Sequence, residues 1–176
     1  MTDLTVPMGL TDTLVELVDI PSVTGHEGRI CTYLAERLLP SWGMEAVERI
    51  GNSLLVGRRT GRPIIAVVGH IDTVPEQGQG AARVEDGRLF GLGASDMKAG
   101  VAVMVHLLED EVLRAGPYDL VAVFYDGEEG PADRNGLGRV LELATWLSEA
   151  ELGVVLEPTD LELQLGCLGF LNARVT

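Results

Sequence analysis

An α/β fold, with a mostly parallel sheet flanked by helices, is predicted by three features of this 176-residue sequence. Three short apolar runs, residues 64–68 (IIAVV), 120–125 (LVAVFY) and 153–156 (GVVL), are rich in Val, Ile or Leu, as strands covered on both faces tend to be. Between the first two, Met97, Val101, Met104, Val105, Leu108 and Val112 recur at helical spacing and form one apolar stripe. Between the second and third, residues 136–150 are partly helical. Strand, helix, strand, helix, strand implies parallel pairing with right-handed crossovers.

The elements before this core follow in order. Leu10, Leu14, Leu17 and Val18 mark a first amphipathic helix; Ile30, Leu34 and Leu38 mark a second; PSVTG at 21–25 breaks the chain between them. Residues 44–50 and 53–57 read as a hairpin across Gly51-Asn52. With 46% hydrophobic residues the chain supports one globular unit with a real core. Its 13 basic against 27 acidic residues, a formal net charge of -14, argue against nucleic acid or an anionic membrane as partner but leave cations open. The first twenty residues have no basic n-region, and no apolar run approaches the roughly 18 residues of a membrane span, so a soluble cytoplasmic protein is expected. Cys31 and Cys167 form no CxxC pair and read as small buried residues.

Ligands of open α/β sheets bind at the carboxyl ends of the strands. Here the first buried run is followed by His70 and Asp72, the second by Glu128 and Glu129, the third by Glu157. Asp96 precedes the central helix, where it either caps the helix or points into the same crevice. Each alone has a plain structural explanation; together, several carboxylates in one cleft raise one another's pKa values unless cations neutralise them. One imidazole and three carboxylates, His70, Asp96, Glu129 and Glu157, suit zinc or a similar divalent ion. Other motifs fail. GLGASD has Asp96 where a dinucleotide fingerprint needs its last glycine, and Lys98 is followed by Ala99 rather than Ser or Thr. His26 and His106 are read as structural.

The ordered set GHIDTVP (69–75), GLGASDMKAG (91–100), FYDGEEG (124–130) and LEPT (156–159) resembles the co-catalytic metallohydrolases, a family of succinyl-diaminopimelate desuccinylases, acetylornithine deacetylases, aminoacylases and glutamate carboxypeptidases. PSVTGHEG, NGLGRV and GCLGFLNARV bring the chain nearest to the desuccinylases of actinobacterial type. The resemblance implies the phosphorylase/hydrolase-like zinc exopeptidase catalytic domain, here incomplete, and two divalent ions, zinc first and cobalt as the alternative. It implies that His70 and Glu157 bind the first metal, Asp96 bridges both, Glu129 binds the second, Glu128 is the general base, and Asp72 holds the His70 imidazole. It also implies a cis peptide at Asp96-Met97. The substrate would be a small N-acyl amino acid, N-succinyl-LL-2,6-diaminopimelate foremost. An acetylornithine deacetylase or another N-acyl amino acid hydrolase or carboxypeptidase of the same family, and a non-catalytic metal-binding fragment, are the alternatives.

Family members are roughly twice as long by this resemblance. Residues 1–165 would be the N-terminal part of the catalytic domain and 166–176 a strand leading to a lid that makes the full-length protein a homodimer. A late histidine for the second metal would then lie outside this chain, leaving tight binding of one ion, weak binding of the other and little activity. Gly127 stands where the family more often has aspartate, which would leave the Glu128–Glu129 loop less constrained.

Overall fold

The computed structural model describes residues 9–166. Helices α1 (Leu10–Asp19) and α2 (Gly28–Trp42) lead through a 3-10 turn into strands β1 (Val47–Ile50) and β2 (Ser53–Gly57). Strand β3 (Ile64–His70) precedes a small exposed hairpin, β4 (Arg83–Glu85) and β5 (Arg88–Phe90). Helices α3 (Ala99–Glu109) and α4 (Glu111–Arg114), strand β6 (Asp119–Tyr125), helix α5 (Gly136–Leu143) and strand β7 (Leu152–Val155) complete the order.

The main sheet runs β1-β2-β6-β3-β7. β3 pairs parallel with both β6 and β7, while β1–β2 and β2–β6 are antiparallel. The sheet is therefore mixed, with β2 alone running against the other four strands: the predicted hairpin joins the parallel core through β2. Alternation along each strand feeds two cores. On one face Leu54, Val56, Val67, Ala122 and Phe124 pack with α1, α2 and α3; on the other Leu55, Ile64, Val121, Val123 and Tyr125 pack with α5 and the turn after it. Burying one such side chain is worth about 1.5–3 kcal/mol, so the layers flanking β3 and β6 dominate stability.

Three expectations need correction, and one hairpin goes beyond them. The third apolar run was expected to be covered on both faces, but among the described residues β7 lies at the sheet edge, paired only with β3, and all four of its residues are exposed. An apolar run reports strand-forming side chains, not which strand lies at an edge. The central stripe was read as one helix from Met97 to Val112. Met97 instead belongs to the turn before α3, and Val112, in α4, is 80% exposed, because the chain bends at Asp110, which caps α4 through the N–H groups of Val112 and Leu113. Gly127 does not loosen its loop: its φ of +74° favours glycine, and a Cβ there would lie 2.6 Å from the Arg134 carbonyl. The β4–β5 hairpin, turned on Asp86-Gly87 with both residues at positive φ, was not foreseen, although Asp-Gly is a hairpin signal. Cys31 is buried; Cys167, the tail motif GCLGFLNARV after Gly166, and the expected strand 166–176 lie outside the described residues. No helix among the described residues is long and apolar enough to cross a membrane.

Candidate metal centre

β3 and β6 end side by side, His70 opposite Tyr125, so the segments leaving the two strands open on one sheet edge. His70 is buried, and its ring meets Tyr125 edge-on at 6.2 Å. Its Nδ1 faces the Asp72 carbonyl at 3.1 Å and the Asp72 carboxylate at 3.4 Å. Both are acceptors, so Nδ1 carries a proton and Nε2 is the ring nitrogen left for a ligand once its own proton is displaced. Nε2 lies 3.0 Å from Asp96 Oδ1 and 3.8 Å from Glu157 Oε1. Asp72 sits past the end of β3, not on the strand face as an alternation argument would place it.

Asp96 does not cap the helix. α3 starts three residues later, no side chain caps its N-terminus, and the intervening Asp96–Met97 peptide is cis. The Met97 sulfur accepts the His70 N–H at 3.1 Å, so the turn carrying Asp96 docks against the histidine it faces. Gly69 and Gly100 permit this approach: a Cβ on Gly69 would collide with the Met97 methyl, and one on Gly100 with the carbonyl of Leu156, the residue before Glu157.

The second loop is held through Asp72, which is fully buried. Its Oδ1 accepts the Glu128 N–H at 3.0 Å, and its Oδ2 accepts the Glu129 N–H at 3.1 Å and the Thr24 hydroxyl at 2.8 Å. Burial works against its charge, but these bonds and His70 hold the carboxyl below its usual pKa. At the loop's far end Asp126 bonds Ser53 and accepts the Gly136 N–H on its carbonyl at 2.7 Å.

One ligand atom each from His70, Asp96 and Glu129 lies within 4.8 Å of the others, a grouping that could hold a metal ion. Glu157 flanks them. Burial would depress the His70 pKa, but Asp72, Asp96 and Glu157 outweigh it and lift the imidazole to about 9. Glu157 is pushed up to about 7 by burial and, against the opposing His70, by the charges of Asp96 and Glu128. Glu129 is raised by burial and by Asp96, and Tyr125 by burial and by Glu157 and Glu128, so its phenol stays neutral. Within 4 Å of these carboxylates, His70 is the sole chargeable partner among the described residues. Lys98, the single lysine of the chain, points away: it is buried, donates a hydrogen bond from Nζ to the Ile20 carbonyl at 2.8 Å, and burial lowers its pKa to about 8. This donor set, short of positive charge and facing outward, fits a divalent cation.

A cavity of about 420 Å³ opens beside the cluster, lined among others by Thr73, Val74, Ser95, Asp96 and Glu129. A second cavity, about 300 Å³ and lined among others by Arg58, Arg62, Arg114 and Asp119, lies at the opposite end of β6. His26 is exposed, and His106 bonds Thr13 at 2.9 Å, so neither joins the site. Thr24 and Gly100 were missed as site residues, although both stand in the motifs PSVTGHEG and GLGASDMKAG.

A Mycobacterium tuberculosis protein assigned as a succinyl-diaminopimelate desuccinylase is 40% identical over 158 residues, covering 89% of this chain and 44% of that protein. The Corynebacterium glutamicum succinyl-diaminopimelate desuccinylase is 38% identical over 167 residues, covering 91% and 44%. The chain thus spans about half the length of the curated relatives it matches. Among solved structures, a Staphylococcus aureus tripeptidase superposes with a TM-score of 0.66 at 28% identity, over 84% of this chain and 42% of the other. A Bacillus cereus aminopeptidase superposes with a TM-score of 0.65 at 26% identity, with the same coverage. Residues 66–168 match the peptidase family M20/M25/M40, a span that takes in all four sequence motifs that deliver His70 and the clustered carboxylates. The chain belongs to this family.

Proposed function

We propose that this chain carries the metal-binding half of a metal-dependent amide hydrolase that cleaves N-succinyl-LL-2,6-diaminopimelate to succinate and LL-diaminopimelate. The observation that carries the reading is the convergence of His70, Asp96 and Glu129, with Glu157 at 3.8 Å from Nε2, on a sheet edge short of positive charge. The substrate comes from the desuccinylase relatives at 40% and 38% identity.

His70, Asp96 and Glu157 would hold one ion, and Asp96 with Glu129 a second; zinc suits this imidazole and carboxylate set. Bound there, it supplies Lewis acidity toward the scissile carbonyl and acidifies a water. Asp72 keeps the His70 Nε2 lone pair turned toward the ion site and holds the backbone of both glutamates. Glu128, exposed and with its side chain outside that clamp, takes the proton of the attacking water and returns it to the leaving amine. The adjoining cavity receives the substrate beside Asp96 and Glu129. Two protein ligands make the second ion the weaker bound. In this reading residues 1–165 form the N-terminal part of the catalytic domain, and the protein works in the cytoplasm.

The test is hydrolysis by the zinc-supplemented protein of N-succinyl-diaminopimelate, N-acetylornithine and tripeptides in parallel. Slow but zinc-dependent succinate release, favoured over the other two, is expected, since the second ion is weakly held. A preference for acetylornithine or peptide would overturn the substrate, and hydrolysis unaffected by chelation would overturn the metal.

A further inference from the structure

We propose that Thr24 is a positioning residue for the cluster: through one hydroxyl it fixes the Asp72 carboxylate that orients His70 and clamps the loop of Glu128 and Glu129. This rests on the metal reading of the site, but its geometry stands apart from any ion. Thr24 lies 48 residues before Asp72, in a loop between α1 and α2 that none of the proposed chemistry uses.

That loop is built to hold it. Val23 pairs with Thr73 in an isolated parallel bridge, Thr24 N–H donates to the Thr73 carbonyl at 3.1 Å, and Thr73 N–H returns to the Ser22 carbonyl at 3.0 Å. Glu27, 1% exposed, pins the other side by accepting the Gly25 N–H at 2.5 Å and an Asn52 amide proton at 3.1 Å. A buried carboxylate spent on backbone geometry is costly unless the conformation it fixes is needed. From this seat the Thr24 hydroxyl reaches Asp72 Oδ2, and the Thr24 methyl packs where a Cβ on Gly130 would sit 2.9 Å away, just past the glutamate pair.

Asp72 Oδ1 is shared between the Glu128 N–H and the His70 side, so Oδ2 must hold the Glu129 amide. The Thr24 hydroxyl is the other donor to Oδ2 among the described residues. Without it the carboxylate can rotate toward one partner at the expense of another, and the distance between Nε2 and Glu129 is no longer fixed. Outer partners of metal ligands typically control affinity about 10–100-fold in this way.

The experiment compares Thr24→Val, which keeps shape and methyl but removes the donor, with Thr24→Ser, which keeps the donor. In the metal-free chain, amide exchange at Glu128 and Glu129 should quicken in Thr24→Val relative to Leu34 and Leu38 in α2, and return to the native rate in Thr24→Ser. Cobalt titration, followed by its visible absorption, should show an affinity loss of about 10-fold in Thr24→Val and recovery to within about twofold in Thr24→Ser. Native exchange at both glutamate amides in Thr24→Val would overturn the proposal. So would an acceleration shared equally with α2, or equal impairment in both variants, which would assign the effect to packing. If the unmodified chain takes up no cobalt, the metal reading falls, and the amide exchange alone decides the role of Thr24.

Discussion

On the β3–β6 side of the cluster, His70 and Asp72 are 1% and 0% exposed, and both oxygens of the Asp72 carboxylate accept hydrogen bonds. On the β7 side the Glu157 side chain is 34% exposed, follows an exposed edge strand, and lies 0.8 Å farther from His70 Nε2 than Asp96 does (3.8 against 3.0 Å). Both sides begin from the same device, an apolar strand that ends in an ionisable residue. Neighbours make the difference: β3 and β6 are flanked on both sides in the sheet, whereas β7 has one partner among the described residues. The first side holds its geometry through a buried network; the second holds its carboxylate through the backbone of Leu156, whose N–H donates to the Val68 carbonyl at 3.0 Å and whose carbonyl lies close to Gly100.

The largest break in this contrast is Asp72→Ala. It strips the acceptor from two backbone amides and a hydroxyl and leaves His70 Nδ1 with only the backbone carbonyl of residue 72, so stability should fall by about 3 kcal/mol in urea unfolding and metal affinity by at least about 100-fold. Next is Gly100→Ala, whose new methyl must displace the Leu156 carbonyl and with it Glu157. A cost of about 1–3 kcal/mol and a roughly 10-fold affinity loss are expected, read by the same two titrations. Glu157→Gln removes the charge alone. About a 10-fold weaker ion should accompany a stability change within about 0.5 kcal/mol, because the group is partly solvated.

The pH dependence is subtler. His70 titrates near 9 and Glu157 near 7, both above their ordinary values, so each favours its protonated form in the folded, metal-free chain. Stability from these shifts is therefore complete below the ordinary pKa of each group and is lost as pH rises through about 7 for Glu157 and about 9 for His70. An ion must displace the same protons, so apparent affinity should climb from pH 6 to pH 9 with proton release on binding, measurable by calorimetry in buffers of different ionisation heat. The smallest effect belongs to the edge: Val154→Ala in β7 should cost under about 0.5 kcal/mol in urea unfolding, against about 2 kcal/mol for Val67→Ala in β3.

These differences also mark what a sequence can carry. His70, Asp96, Glu128, Glu129 and Glu157 were legible because each follows or precedes a strongly patterned element, and the elements themselves fix which edge they reach. The exposure of β7 was not legible, since the run GVVL has the same composition at the edge as at the centre. Met97 was assigned to the helical stripe because spacing cannot show a turn that ends one residue before a helix resumes. Thr24 and Gly100 act through contacts 48 and 56 residues away, with Asp72 and Leu156, and no local pattern records such a pairing. Gly127 was misread for the opposite reason: a missing side chain suggests freedom until the fold sets its φ and its neighbour.

Isothermal titration of zinc into the unmodified chain and into His70→Ala tests the central claim most directly. The account predicts one tight ion and a weaker second in the unmodified chain, with the tight site weakened at least about 100-fold in His70→Ala while urea unfolding stays cooperative. Zinc uptake of equal affinity in both proteins, or none in either, would contradict it.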